Sequence, residues 1–267
     1  MPENLTGVGD TPRVASTTEF DEQFAAPELD PQVWTTSYLP AWSSRADAAA
    51  SYVVEADGLH LTIPPEHRLW CPDLHEGRLR VSAVQTGNWS GPVGSPRGQQ
   101  PFRDGLLVRE AQPTVLGFTP CYGHVEVECR ARITARSMFS AWMVGIEDEP
   151  ERCGEICLVE VFGDAVEGGY SAVGSGIHEF RDPALTEEFS AQRLAIDVAQ
   201  PHRYAVDWRP GRVEFFVDGE RTRVCEQAPA YPMQLILGVF DFPDHPSAGD
   251  GEAPTAELVV HRVLGRG

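Results

Sequence analysis

Apolar and polar residues alternate along Tyr122-Gly-His-Val-Glu-Val-Glu-Cys-Arg-Ala-Arg-Ile133. Val125, Val127, Cys129, Ala131 and Ile133 share one face, and Glu126, Glu128, Arg130 and Arg132 share the other. A period of two predicts a strand with one buried face. Gly58–Ile63, closed by Pro64-Pro65, and Gly77–Ser82 read as shorter strands. Tyr204–Trp208, the turn Arg209-Pro-Gly-Arg212 and Val213–Val217 predict a hairpin, with a second turn at Asp218-Gly219. Gln234–Phe240 and Glu257–Val263 are late strands. Only Asp182–Gln192 has room for a short helix. Short strands recurring at intervals of roughly 8–12 residues predict an all-β fold, a jelly-roll sandwich of antiparallel sheets.

Composition narrows the function. The 267 residues carry 21 Lys+Arg against 40 Asp+Glu, a formal net charge of −19. Such a chain is repelled by nucleic acid and by anionic membranes, and neither is expected as a partner. The longest uncharged apolar stretches, 137–146 and 231–240, are too short to cross a bilayer. Residues 1–19 read as a polar, flexible lead-in, and 20–267 as one domain. That lead-in has no apolar core and one basic residue, Arg13, so it does not read as an export signal and a cytoplasmic location is expected. The six cysteines contain no C-x-x-C pair, which predicts reduced thiols and no structural zinc.

The candidate chemistry lies in Cys153-Gly-Glu-Ile-Cys-Leu-Val-Glu-Val-Phe-Gly163, an apolar strand carrying Glu155 and Glu160. Residues five apart on a regular strand face opposite ways. A β-bulge at Leu158–Val159 would flip the alternation and bring Glu155, Cys157 and Glu160 onto one face. Two carboxyls about 5–5.5 Å apart are the pair a retaining glycosidase uses. The alternative is that both are ordinary edge glutamates.

Glu155-Ile-Cys-Leu-Val-Glu160 resembles the bulged E-I-D-x-x-E signature of laminarinase-like members of glycoside hydrolase family 16. Other segments match that family in order. These are Phe20–Phe24 with Leu29–Trp34, Tyr122–Arg130, Ser140-Ala-Trp-Met143, Gly176-Ile-His178, His202–Trp208 and Phe216-Val-Asp-Gly219. The resemblance covers residues 20–264 and implies a concanavalin A-like jelly roll whose concave sheet binds a polysaccharide or oligosaccharide substrate. It implies an endo-acting, retaining hydrolase of β-glucan-like polymers, with Glu155 as nucleophile and Glu160 as acid/base. The family's middle Asp is Cys157 here, and a neutral thiol is a poor substitute for that carboxylate, so weakened catalysis is expected. A lectin-like protein on the same scaffold is the rival reading.

Substrate contacts are expected from Trp142, His178, Trp89, Gln234 and Phe240. Trp142 either stacks on a sugar ring or fills the core, and Gly238 leaves room for a close approach. Gln85, Gln99, Gln100 and Arg103 lie in polar, Gly/Pro-rich loops and are unranked candidates for shaping subsites. The carboxylates Asp244, Asp250 and Glu252 lack the spacing of a calcium loop, so no metal and no cofactor are expected.

Overall fold

The computed structural model describes residues 19–245 and 255–267, so the lead-in expected at 1–19 lies outside the described residues apart from Glu19. In chain order the strands are β1 (Phe20–Glu22), β2 (Ser51–Glu55), β3 (Gly58–Thr62), β4 (Arg80–Gln85), β5 (Gly87–Asn88), β6 (Val115–Leu116), β7 (Gly123–Arg132), β8 (Ser137–Gly145) and β9 (Glu155–Phe162). They continue as β10 (Val166–Glu167), β11 (Tyr170–His178), β12 (Glu188–Leu194), β13 (His202–Arg209), β14 (Arg212–Val217), β15 (Glu220–Cys225), β16 (Met233–Asp241) and β17 (Glu257–Arg266). The helical content of the described residues is two short 3-10 turns, Pro40–Trp42 and Gly163–Ala165, and no helix is long and apolar enough to cross a membrane.

Eight strands form one antiparallel sheet in the order β15-β14-β13-β7-β17-β3-β2, with β1 added beside β17. Seven form the other, β10-β11-β9-β8-β16-β4, with β12 also pairing β11. The alternation in β7 has the expected effect. Val125, Val127, Cys129 and Ala131 are buried in the core between the sheets, and Ile133, one residue past the strand, packs against the same core. The predicted hairpin is β13–β14, closed at Pro210-Gly211. Asp218 and Gly219 both have positive φ, the backbone of a tight primed turn into β15. That outer strand carries exposed Glu220 and Arg221, and Arg221 donates to Glu214 at 2.7 Å.

The seven-stranded sheet is covered on both faces. Ala141, Met143, Ile156, Leu158 and Leu235 enter the core between the sheets. Trp142, Val144, Cys157, Ile236 and Phe240 point the other way, under loops that contribute Leu39, Trp42, Trp70 and Leu106. Every residue of β8 and β16 is therefore buried, which is why these two strands are apolar runs without alternation.

Two sequence expectations are corrected. Residues 182–192 form a turn and then strand β12, not a helix. An isolated helix of that length is marginal in water, whereas β12 completes a ladder with β11 in which Phe189 sits opposite Gly176 and Ala191 opposite Gly174. The strand expected at Gly77–Ser82 begins at Arg80 and runs to Gln85. Gly77 has positive φ, and Arg78 is held in the turn by Asp244 through its backbone N–H and its Nε, each at 2.7 Å.

Candidate active site

Strand β9 is bulged where its sequence requires it. Against β8, Glu155 faces Val144, Cys157 faces Trp142, Val159 faces Ala141 and Glu160 faces Ser140. Leu158 has no partner in that register. Against β11, Glu155 faces His178, Cys157 faces Gly176 and Glu160 faces Gly174, with the same irregularity. Val144, Trp142 and Ser140 are two residues apart, so Glu155, Cys157 and Glu160 share one face. Leu158 and Val159 both enter the core between the sheets. On its other side β11 approaches β12 closely at Gly176, whose φ is +141° and where a Cβ would lie 2.2 Å from the Glu188 carbonyl oxygen.

Glu155 is 8% exposed. Gln100 Nε2 donates to its Oε2 at 3.2 Å, and His178 Nε2 lies 4.0 Å from its Oε1. The other ring nitrogen of His178 bonds Glu187 at 2.8 Å, and the ring stacks on Phe189 with centroids 4.4 Å apart. Burial first, then the charge of Glu160, pushes the Glu155 carboxyl up to about 8, against the Gln100 hydrogen bond. Burial also raises Glu160, which is half-buried, while His178 opposes it. Burial thus holds both carboxyls above the ordinary glutamate range, and the charge of Glu160 adds to the effect at Glu155.

Cys157 lies between them and is 1% exposed. Its Sγ is 4.0 Å from Ser140 Oγ, whose own proton goes to the Val159 carbonyl at 2.8 Å. Burial pushes the thiol well above its ordinary range, so it is a neutral, apolar filler and not a nucleophile. All six cysteines are free, and Cys121 alone is exposed. Titration with a thiol reagent should find one fast equivalent in the folded chain and six after unfolding. A second fast thiol would show that one of the buried five is accessible.

The other expected contacts divide. His178 stands beside Glu155, opposite it on β11. Trp142 and Phe240 are buried in the floor of the face, with rings 6.0 Å apart and Tyr38 edge-on to each. Gln234 is fully buried and accepts from Gln85, which also bonds Gln99, so these three amides form an internal network with no side-chain surface for a ligand. Gly238 is closed by Ala83 and Phe240, not open to a sugar. Trp89 is half-buried at the rim, with the Arg97 guanidinium 5.0 Å from its ring. Arg103 is exposed and donates to the Leu74 carbonyl.

Two site residues escaped the sequence reading. Glu147 is 3% exposed, has φ +60°, and pairs with Arg181. Burial pushes its carboxyl up to about 7. It stands at the head of Glu147-Asp-Glu-Pro-Glu151, a run that reads as solvated turn, and nothing local marks it as buried. Glu147, Arg181, Tyr38, Trp70, Phe102 and Phe180 line a pocket of about 190 Å³, and Gln100 borders it. Among the described residues, Glu55, Asp57 and His60 offer ligand atoms within 4.8 Å of one another, on the opposite sheet. Asp57 is already engaged by His60 at 2.8 Å and Arg130 at 3.1 Å. Asp244 is tied to Arg78, and Asp250 and Glu252 lie outside the described residues.

The family model for glycosyl hydrolases family 16 matches residues 117–251, just over half of the chain, and this match spans the bulged strand. The chain belongs to glycosyl hydrolases family 16. No curated protein matches the sequence. Among solved structures, this family 16 chain is similar to a GlcNAcα1-4Gal-releasing endo-β-galactosidase from Clostridium perfringens, with 23% identity and a TM-score of 0.79 over 97% of this chain and 65% of that one. It therefore spans about two thirds of that protein's length. It is also similar to a laminarinase from Flavobacterium sp. UMI-01, with 16% identity and a TM-score of 0.58 over 93% of this chain and 99% of that one. A third likeness is to an endo-acting O-glycanase of human gut microbiota, with 19% identity and a TM-score of 0.59 over 92% and 98% of the two chains. These neighbours share the sandwich.

Proposed function

We propose that this family 16 glycosidase is an endo-acting, retaining hydrolase of β-linked glycans, with Glu155 as nucleophile and Glu160 as acid/base. The observation that carries the reading is the bulge at Leu158, which puts Glu155 and Glu160 on one face of the sheet. Glu160 would protonate the glycosidic oxygen as its bond to C1 breaks, and the Glu155 carboxylate would attack C1 to form an ester-linked glycosyl-enzyme. Glu160, now ionised, would take a proton from water as that water attacks C1 and frees Glu155. Cys157 brings no charge to the face, which supports slower turnover than an Asp would allow.

The substrate reading is a β-glucan, from the laminarinase-like strand. A second reading, a β-galactoside-containing glycan, is favoured by the TM-score of 0.79 to the endo-β-galactosidase against 0.58 to the laminarinase. The deciding experiment incubates the chain with laminarin, lichenan, agarose and a mucin-type O-glycan, and follows new reducing ends and their anomeric form by NMR. The β-anomer should appear first. Initial α-anomer would overturn retention, and binding without cleavage would establish the lectin-like alternative.

A further inference from the structure

The carboxylate of Glu155 receives one hydrogen bond among the described residues, and its donor comes from a loop, not from the strand. Gln100 has φ +43°, a left-handed backbone that a side-chain-bearing residue seldom adopts. It is held there because its backbone N–H donates to Glu147. Glu147 also has positive φ, is buried, and is fixed by the Arg181 guanidinium. Neighbouring residues in unfavourable backbone states, locked by an ion pair between buried Glu147 and exposed Arg181, are a mark of a constrained functional loop. The side chain is equally constrained. Trp142 Nε1 lies 3.3 Å from Gln100 Oε1. An indole N–H only donates, so the amide oxygen must face Trp142 and the NH₂ must face Glu155.

We propose that Gln100 is the positioning residue of Glu155: its amide, oriented by Trp142 and anchored through Glu147 and Arg181, supplies the hydrogen bond that Cys157 cannot. This rests on the reading of Glu155 as nucleophile. The chemistry favours an amide at this place. A donor to the ionised carboxylate stabilises the form that attacks. A neutral donor does so without adding a third negative charge to a face that already holds two. The other groups facing Glu155 are Glu160 and Cys157 from its own strand, His178 from β11 backed by Glu187, and Tyr38 from the loop before β2. The glutamates repel its charge, the thiol is buried and neutral, and His178 Nε2 stands at 4.0 Å, beyond a hydrogen bond.

The test is a ¹³C carboxyl titration of the full chain, with the Glu155 signal assigned by its loss in Glu155→Gln. Gln100→Leu should raise the pH at which Glu155 ionises by about one unit. The acidic limb of kcat/KM on whichever glycan is cleaved should move by the same amount. Trp142→Phe, which frees the amide to rotate, should give a smaller shift in the same direction. Should Gln100→Leu fail to fold, Gln100→Asn keeps the amide but shortens its reach and should shift the titration likewise. An unchanged Glu155 titration in a folded Gln100 variant overturns the proposal. The NMR readout does not need turnover, so a chain that cleaves no glycan would refute the nucleophile reading while leaving the hydrogen bond independently decided.

Discussion

Glu155→Gln should lower turnover by at least about 10⁴-fold, as loss of a covalent nucleophile does, and should at the same time make the fold more stable at pH 8. The stability gain follows from the burial of Glu155. In the folded chain its carboxyl is pushed up to about 8, whereas an unfolded glutamate ionises near its ordinary value of 4.5. Between those limits the folded state holds a proton that the unfolded state has released. Stability contributed at this position is therefore greatest at low pH and falls as pH rises from about 4.5 to 8. Glutamine has nearly the same shape, is neutral throughout, and still offers an oxygen to Gln100. The variant should lose that pH dependence and gain on the order of 2–4 kcal/mol at pH 8. For a chain of this size that is a rise in melting temperature of roughly 5–10 °C. At pH 4 the two proteins should melt together. A variant that is inactive but less stable at every pH would show that the Glu155 carboxylate is a structural anchor.

Glu160→Gln should cost about 10²–10⁴-fold on a polymer, whose leaving alcohol needs a proton, and far less on an aryl glycoside with an acidic phenol. On the aryl substrate the first step should survive as a burst, with hydrolysis of the glycosyl-enzyme slow because no base activates water. Azide needs no base. It should restore turnover of this variant and yield a β-glycosyl azide, while the same anion added to Glu155→Gln should yield the α-azide. The two carboxyls differ in exposure. Glu160 is half-buried, beside Ser140 and Gly174, and open to a water or a leaving group. Glu155 is enclosed by Gln100 and His178. Equal losses on polymer and aryl substrate would remove Glu160 from the acid/base role.

Much of this was legible in the chain. The β7 alternation, the β13–β14 hairpin and the fold class follow from local pattern, because in each the period of two or the turn chemistry is undisturbed. The bulge was legible through the resemblance of Glu155-Ile-Cys-Leu-Val-Glu160 to a bulged family signature, since spacing alone equally allows two edge glutamates. What failed did so where distant segments decide. Phe189 prefers β12 because its ring lies over Gly174 and stacks on His178 across the ladder, partners that residues 182–192 do not reveal. Gln234, Phe240 and Gly238 carry the expected period but lie beneath loops whose path the sequence does not declare. Glu147 and Arg181 escaped because they meet the loop residue Gln100 from segments separated by 47 and 34 residues, and each looks solvated in its own neighbourhood.

Among the described residues, the outermost strand of the larger sheet, Glu220–Cys225, has a neighbouring strand in its sheet on one side only. A second molecule aligning there would have to strip water from Glu220 and Arg221 and bring together two bodies that each carry −19. Fibril-like growth along this edge is thereby disfavoured, and charge guards the border where hydrogen bonding alone would invite it.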